Sequence, residues 1–289
     1  MVKRLIVLAG ATASGKTSLA IDLATHLHCE IISCDARQFY KELNIGVAKP
    51  NDEQLKKIKH HCISHQSINS NYTVADFEKE ALSITDNLFQ KYEYIILCGG
   101  SGLYIDALCN GLDDMPAISE AVKKQVANLS IEECLSIIKE KDETYFNEMD
   151  QQNTRRVQRA TEVILETKLP FSCFRKGEKK QRNFEILKFA IDIEREKLYE
   201  NINQRVDDMI IDGLENEAKE LTKLLPNKNL DTIGYREFFD FFENKISKTE
   251  AIEKIKQHTR NYAKRQMTWF KRDTDIRWIK NIKEILQVL

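Results

Sequence analysis

The chain has 289 residues, 42% of them hydrophobic and 31% charged, with 10 Gly, 4 Pro and a formal net charge of −1. That balance suits a folded globular protein of one large domain or two modest ones and excludes the low-complexity and collagen-like classes. It also excludes a uniformly basic surface, so a nucleic-acid partner would have to be met by local clusters of Lys and Arg. The seven cysteines (Cys29, Cys34, Cys62, Cys98, Cys109, Cys134, Cys173) are odd in number, scattered and without a CxxC pair. They read as reduced thiols of a cytoplasmic protein. The N-terminal run MVKRLIVLAG is too short for a secretory signal, and no stretch reaches membrane-spanning length, so no membrane association is expected.

Taken in chain order, residues 3–9 read as a short buried strand. Gly10-Ala11-Thr12-Ala13-Ser14-Gly15-Lys16-Thr17 follows, matching G-x-x-x-x-G-K-[ST], and a helix over about 16–27 comes next, with Leu19, Leu23 and Leu27 on one face. In that setting the glycines let backbone N–H groups wrap an oxyanion and the helix N-terminus adds partial positive charge. Lys16 supplies a full charge, and the Thr17 hydroxyl can hold Mg²⁺. EIISC (30–34) is a second buried strand, ending on Asp35. Residues 72–92 form an amphipathic helix opened by Thr73, with Asp76 as its capping-box partner. YEYIILC (92–98) is a third strand and runs into Gly99-Gly100-Ser101-Gly102.

Strands alternating with helices predict an α/β fold on a parallel sheet. Ligands of such sheets gather beyond the carboxyl ends of the strands, so the phosphate loop, Asp35 and residues 99–102 should line one cleft. Asp35 there either takes a proton, binds metal through water, or caps the next turn. The GGSG turn either reverses the chain or admits a ligand, with Ser101 offering a hydroxyl. The third strand ends in Cys98 rather than in the Asp that positions Mg²⁺ in many P-loop ATPases, so the equipment for phosphoryl transfer from ATP is incomplete.

Residues 113–183 are nearly all helix-like and end in the basic run FRKGEKKQR (174–182); ILKFAIDI (186–193) is again a buried strand. A helical insertion domain is therefore expected at 113–183, within a core of 1–112 plus 184–289. From Arg195 onward the pattern is helical, with short breaks at Pro226 and Gly234. Near the C-terminus Arg265, Trp269 and Arg272 fall at i, i+4, i+7. Trp269 and Phe270 read there as core anchors, and some of the surrounding cations as phosphate contacts. His60, His61, Cys62 and His65 lack the second Cys pair of a zinc site and read as a strand edge or loop near the cleft. Phe39 and Tyr40 read as packing residues.

The stretches GATASGKT, ISCDARQFYKELNIGVAKP, HH, YTVADFEKEAL, GGSGLYIDAL, NTRRVQRATEV, RVDDMIIDGLENEAKEL, TIGYREF and RNYAKRQMTWFKR occur in the order seen in tRNA dimethylallyltransferases, which the chain resembles over nearly its whole length. The resemblance implies a P-loop NTPase-like core with an all-helical insertion domain and a helical C-terminal part. It implies transfer of a dimethylallyl group from its diphosphate to the exocyclic N6 amine of the adenosine 3′-adjacent to the anticodon, in tRNAs reading codons that begin with U. The implied cofactor is Mg²⁺ and the implied partner is the tRNA anticodon stem-loop, with the enzyme a monomer.

By the same resemblance, Gly10 through Thr17, with Lys16 and Arg205, would bind the diphosphate. Asp35 would be the general base, and Asp35, Ala36, Arg37 and Gln38 would contact the flipped nucleotide. Ser101 would touch tRNA or the reaction centre, and Arg155, Arg156, Val157, Gln158 and Arg159 would contact tRNA. The chain departs from the family's usual pattern in carrying Ala11 for Pro, Ala36 for Ser, Ser101 for Thr and Arg155 for Gln. Three alternatives stand beside this reading: a P-loop nucleoside or small-molecule kinase binding ATP, a relative that prenylates free adenine nucleotides, and an RNA-binding protein with a vestigial P-loop.

Overall fold

The computed structural model describes residues 2–289. In chain order the elements are β1 (Arg4–Ala9), α1 (Lys16–Leu27), β2 (Ile31–Ser33), α2 (Asp52–Lys57), β3 (His60–His61), α3 (Val74–Leu88), β4 (Tyr94–Gly99) and α4 (Gly102–Asn110). There follow α5 (Glu120–Ala127), α6 (Ile131–Lys141), α7 (Glu143–Glu148) and α8 (Thr154–Thr167). The chain then runs through β5 (Glu185–Ile191), α9 (Arg195–Ile211), α10 (Leu214–Leu221), α11 (Arg236–Phe242), α12 (Lys248–Phe270), β6 (Arg277–Ile279) and α13 (Ile282–Leu286). By their contacts they divide into two compact units, one of residues 2–109 with 182–289 and one of residues 110–181. Among the described residues no helix is long and apolar enough to cross a membrane.

The first unit is built on six strands in the order β3-β2-β4-β1-β5-β6, every pairing parallel. Residues of β1 alternate between two apolar layers: Leu5, Val7 and Ala9 join one, Ile6 and Leu8 the other. A strand buried on both faces needs the continuous apolar run that residues 5–9 supply. Register decides where the loops emerge. Ala9 pairs with Gly99 on one side and with Ala190 on the other, and Ser33 pairs with Cys98. The phosphate loop, the Asp35 turn and the Gly99–Gly102 turn therefore leave the sheet at the same edge. The close packing of β2 on β4 at this edge admits only glycine at 99, where a Cβ would lie 2.0 Å from the Cys34 carbonyl oxygen.

Thr73 and Asp76 form the expected capping box of α3, each side chain bonding the other's backbone N–H. The C-terminal part is not helical throughout: residues 277–279 add the edge strand β6 beside β5. Its three residues, with Ile276 before them and Lys280 after, give too short an apolar pattern to register as a strand. His60 and His61 form the opposite edge strand, where His61 meets Glu30 at 2.5 Å and His60 turns to the Ile58 carbonyl at 2.8 Å. Glu30 also accepts from the Tyr92 hydroxyl at 2.9 Å, and these bonds hold its carboxyl below the usual range against the opposing effect of burial.

The second unit closes its own core on Val126, Cys134, Ile138, Tyr145, Val157, Ala160, Val163, Ile164 and Phe171. Ser119, Ser130, Asp142 and Asn153 each cap a helix through the side chain. Asp142 also accepts from the Ser172 N–H at 2.7 Å, tying the chain after α8 back to the start of α7.

Candidate active site

The phosphate loop hangs between the end of β1 and the first turn of α1. Gly15 stands at φ 87 and Ala13 at φ 62, both in the left-handed region. That conformation turns successive N–H groups toward a common centre. The first turn of α1 has no side-chain cap and no acidic residue, which leaves its N–H groups for an anion. Gly10 closes the other side of the loop, where a Cβ would stand 2.8 Å from the Ser14 hydroxyl oxygen. That hydroxyl is buried and has no hydrogen-bond partner among the described residues, as expected of a group facing a ligand.

Lys16 donates to the carbonyl of Ala11 at 3.0 Å, back across its own loop. From α9, Arg205 donates to the Thr12 hydroxyl at 3.1 Å. Burial pushes both cations below their ordinary pKa values, and Asp35 opposes the shift in each; the neighbouring Arg205 charge lowers Lys16 further. Two desolvated positive charges thus face one cavity together with Asp35, and Thr12, Thr17, Ser33, Gln38, Cys98 and Tyr262 line it with them. Such a cavity favours a polyanion.

Asp35 does two things. Its Oδ1 accepts from the Arg37 N–H at 2.9 Å and the Gln38 N–H at 3.4 Å, the turn-capping role anticipated as the alternative. Asp35 nevertheless lines the cavity together with residues of the phosphate loop. Ser101, 9% exposed, accepts from the Ala36 N–H at 3.1 Å and hydrogen-bonds Tyr262. It sits behind the Asp35 turn. Burial, helped by Asp35, pushes the Tyr262 phenol up to about 12.

Of the other residues expected beside the acceptor, Arg37 donates to the Asn229 carbonyl at 3.3 Å. The Gln38 amide donates to the carbonyls of Val47 and Ala48 at 3.2 and 3.0 Å and accepts from the Ser33 hydroxyl at 3.2 Å. Gln38 thereby fixes the cavity wall. Phe39 and Tyr40 are buried at 1% and 3%, and Phe39 packs edge-on or stacked against Tyr72, Phe77 and His65, the packing role read from the sequence.

On α8 of the second unit, Arg155 and Arg156 are exposed and Gln158 is half-buried. Arg159 is held by Glu162 at 3.3 Å and by the Pro116 carbonyl at 3.4 Å. Val157 corrects the sequence reading. It is fully buried in the unit's core, because the helical period turns the third residue of RRVQR inward while its neighbours point out, and it is removed from the set of RNA contacts. A second correction concerns α12: the helix ends at Phe270, so Arg272 lies in the following turn, off the face of Arg265. Trp269 donates to Asp106 at 3.0 Å and packs on the glycine at 102. Phe270 is 2% exposed. Both are core anchors, as read from the sequence.

Three residues at the site escaped the sequence reading. Gln266 of α12 accepts from the Thr12 N–H and donates to the Gly100 carbonyl, both at 2.9 Å. Asn201 donates to the Ala13 carbonyl at 3.3 Å. Glu217 of α10 accepts from the N–H groups of Asn44, Ile45 and Gly46 at 3.2, 2.9 and 3.2 Å and from the Tyr235 hydroxyl, fixing the loop that ends in Val47 and Ala48. The only sequence signal was a polar residue within an otherwise apolar-facing helical register.

The sequence model of the IPP transferase family matches residues 38–273. Among curated relatives, the tRNA dimethylallyltransferase of Flavobacterium johnsoniae is 44% identical, with 96% of this chain and 93% of that protein covered. The tRNA dimethylallyltransferase 2 of Azobacteroides pseudotrichonymphae is 42% identical, covering 98% and 94%. Among solved structures, the tRNA isopentenylpyrophosphate transferase of Staphylococcus epidermidis superposes with a TM-score of 0.70 at 35% identity, covering 96% and 92% of the two chains. A eukaryotic dimethylallyltransferase acting on tRNA superposes with a TM-score of 0.85 at 25% identity, covering 98% and 75%.

Proposed function

The chain belongs to the IPP transferase family, and we propose that it moves a dimethylallyl group from dimethylallyl diphosphate to the exocyclic N6 amine of the adenosine 3′-adjacent to the anticodon of tRNAs reading codons that begin with U. The observation that carries this reading is the pairing in one cavity of two desolvated cations, Lys16 and Arg205, with a carboxylate, Asp35. No carboxylate stands at the end of β4, which argues against a kinase: its last two residues are Cys98 and Gly99, and position 99 has no room for a side chain.

The chemistry follows from that arrangement. The N6 lone pair attacks C1 of the donor, the C1–O bond breaks, and the electron pair of that bond leaves with the diphosphate. The negative charge that builds on the leaving oxygens meets the N–H groups of the phosphate loop, Lys16 and Arg205, already oriented before reaction. The amine is a weak nucleophile because its lone pair is delocalised into the ring. Asp35 takes the N6 proton as the new C–N bond forms, so that no cationic product accumulates. Thr12 positions Arg205. Ser101 holds the Ala36 backbone beside Asp35, in the turn that would receive the splayed base.

A divalent cation fits this cavity. Thr17 and Asp35 both line it, and their hydroxyl and carboxylate are the hard oxygen donors that Mg²⁺ takes, Asp35 through water. The orphaned Ser14 hydroxyl of the phosphate loop suits a diphosphate oxygen. Bound Mg²⁺ would supply further charge neutralisation for the departing diphosphate. On the second unit, the exposed Arg155 and Arg156 are proposed phosphate contacts to the anticodon stem-loop, with Gln158 and Arg159 beside them. The enzyme is proposed to act as a cytoplasmic monomer.

The test is incubation with unmodified tRNA, dimethylallyl diphosphate and Mg²⁺, followed by nucleoside mass analysis. An adenosine heavier by one isopentenyl group at the position after the anticodon is expected. Transfer only to free adenine nucleotides, or consumption of ATP with no donor turnover, would overturn the proposal.

A further inference from the structure

Gln266 lies one turn from the C-terminal end of α12, whose 23 residues are largely polar, yet it is only 6% exposed. The reaction scheme gives it no part. Its two amide atoms reach two different loops, accepting from the Thr12 N–H and donating to the Gly100 carbonyl, both at 2.9 Å. A backbone N–H can only donate and a carbonyl can only accept, so these two bonds fix the orientation of the amide. The fit is tight, since a Cβ on the glycine at 100 would stand 2.2 Å from the amide nitrogen.

The two loops carry opposite halves of the chemistry. Thr12 belongs to the phosphate loop and its hydroxyl holds Arg205 at 3.1 Å. Gly100 precedes Ser101, whose hydroxyl holds the Ala36 N–H next to Asp35 at 3.1 Å. The strands leading to the two loops are paired in register at Ala9 and Gly99. Beyond that point the carbonyl of Gly100 and the N–H of Thr12 are spanned by this one side chain.

We propose that Gln266 is a positioning residue that sets the separation between the leaving-group cradle and the acceptor-side turn. In a displacement at carbon, the reacting carbon travels from one to the other, so their spacing is part of the barrier; a misplacement of about 1 Å can cost about 100-fold in rate. The inference rests on the proposed prenyl transfer and adds to it a determinant of kcat that acts through the two loops it joins.

The experiment compares Gln266→Met, Gly100→Ala and the double variant with the wild-type enzyme. Three quantities are measured: the rate at saturating dimethylallyl diphosphate and tRNA, the affinity for inorganic pyrophosphate by calorimetry, and the thermal midpoint. Gln266→Met is expected to lose about 10- to 100-fold in kcat with pyrophosphate affinity within about five-fold of wild type and KM for tRNA unchanged. Gly100→Ala is expected to lose a similar factor, and the double variant no more than the worse single one, because both remove the same hydrogen bond. Unchanged kcat, losses that multiply in the double variant, or rate and affinity falling together with the folded fraction would each overturn the assignment. If Gln266→Met does not fold, Gln266→Glu takes its place with the same readouts, since it keeps an acceptor for Thr12 and loses the donor to Gly100. A wild-type enzyme that prenylates nothing refutes the proposed function itself.

Discussion

Asp35→Asn separates the two tasks of one carboxylate. The amide keeps an oxygen for the N–H groups of Arg37 and Gln38, which Asp35 now holds at 2.9 and 3.4 Å. The turn therefore survives, and stability should stay within about 0.5 kcal/mol of wild type. What the amide cannot do is take the N6 proton. Loss of a general base is worth about 10²- to 10⁴-fold in kcat, or about 3–5 kcal/mol of barrier. The same change removes the negative charge that opposes the depressed pKa values of Lys16 and Arg205, so pyrophosphate without Mg²⁺ should bind as well as before or more tightly. Asp35→Ala loses turnover equally but also the cap, for about 1 kcal/mol of additional instability, while its tRNA affinity stays within a few-fold because the base acts mainly in the transition state. The assay is single-turnover transfer with both substrates saturating, beside calorimetric pyrophosphate binding and a denaturation midpoint. An Asp35→Asn enzyme within about three-fold of the wild-type rate, against the range expected for a missing base, would refute the reasoning.

Replacing Arg155 and Arg156 with Ala should weaken tRNA binding and reduce the dependence of log affinity on log salt by about 0.7 for each phosphate no longer neutralised; an unchanged slope, measured by filter binding across a salt series, would take these arginines off the RNA. Val157→Ala should instead lower the thermal midpoint and leave the salt slope alone, since the side chain is fully buried. Lys49 donates to the Tyr40 carbonyl at 2.6 Å and to Asn44 at 3.1 Å, and burial brings it down to about 8 from the ordinary 10.5, against the opposing pull of Glu217 and Glu42. The unfolded chain then holds this proton more tightly than the folded one. The penalty is complete below about pH 8 and is relieved as pH rises from about 8 to 10.5. Urea unfolding should accordingly show wild type gaining on Lys49→Met across that window, and a constant difference would contradict the burial of the charge.

What could be read from the sequence was local. The phosphate loop is eight consecutive residues between a strand and a helix, and the capping box of α3 spans four. Both are legible because their partners are neighbours in the chain. Asp35 and the Gly99–Gly102 turn were placed beside the loop by a topological rule, and the observed register supplies the reason. The bonds that finish the site are of another kind. Gln266 meets Thr12 across 254 positions and Asn201 meets Ala13 across 188, and nothing in a local window anticipates either. Val157 was misassigned because RRVQR was taken as one stretch, although a helical period necessarily turns one of its residues inward. The strand at 277–279 was missed because three residues at a sheet edge gain their structure from the neighbouring β5 rather than from their own pattern.

The central claim is that the phosphate loop serves to expel diphosphate from carbon and that no phosphoryl group moves. The most direct measurement uses dimethylallyl diphosphate labelled with ¹⁸O at the oxygen bridging C1 and phosphorus, with unmodified tRNA as acceptor. Cleavage of the C–O bond predicts that all of the label leaves in the released diphosphate, one per prenylated adenosine formed. Label retained in a prenyl alcohol, or phosphate found on the acceptor, would contradict the account.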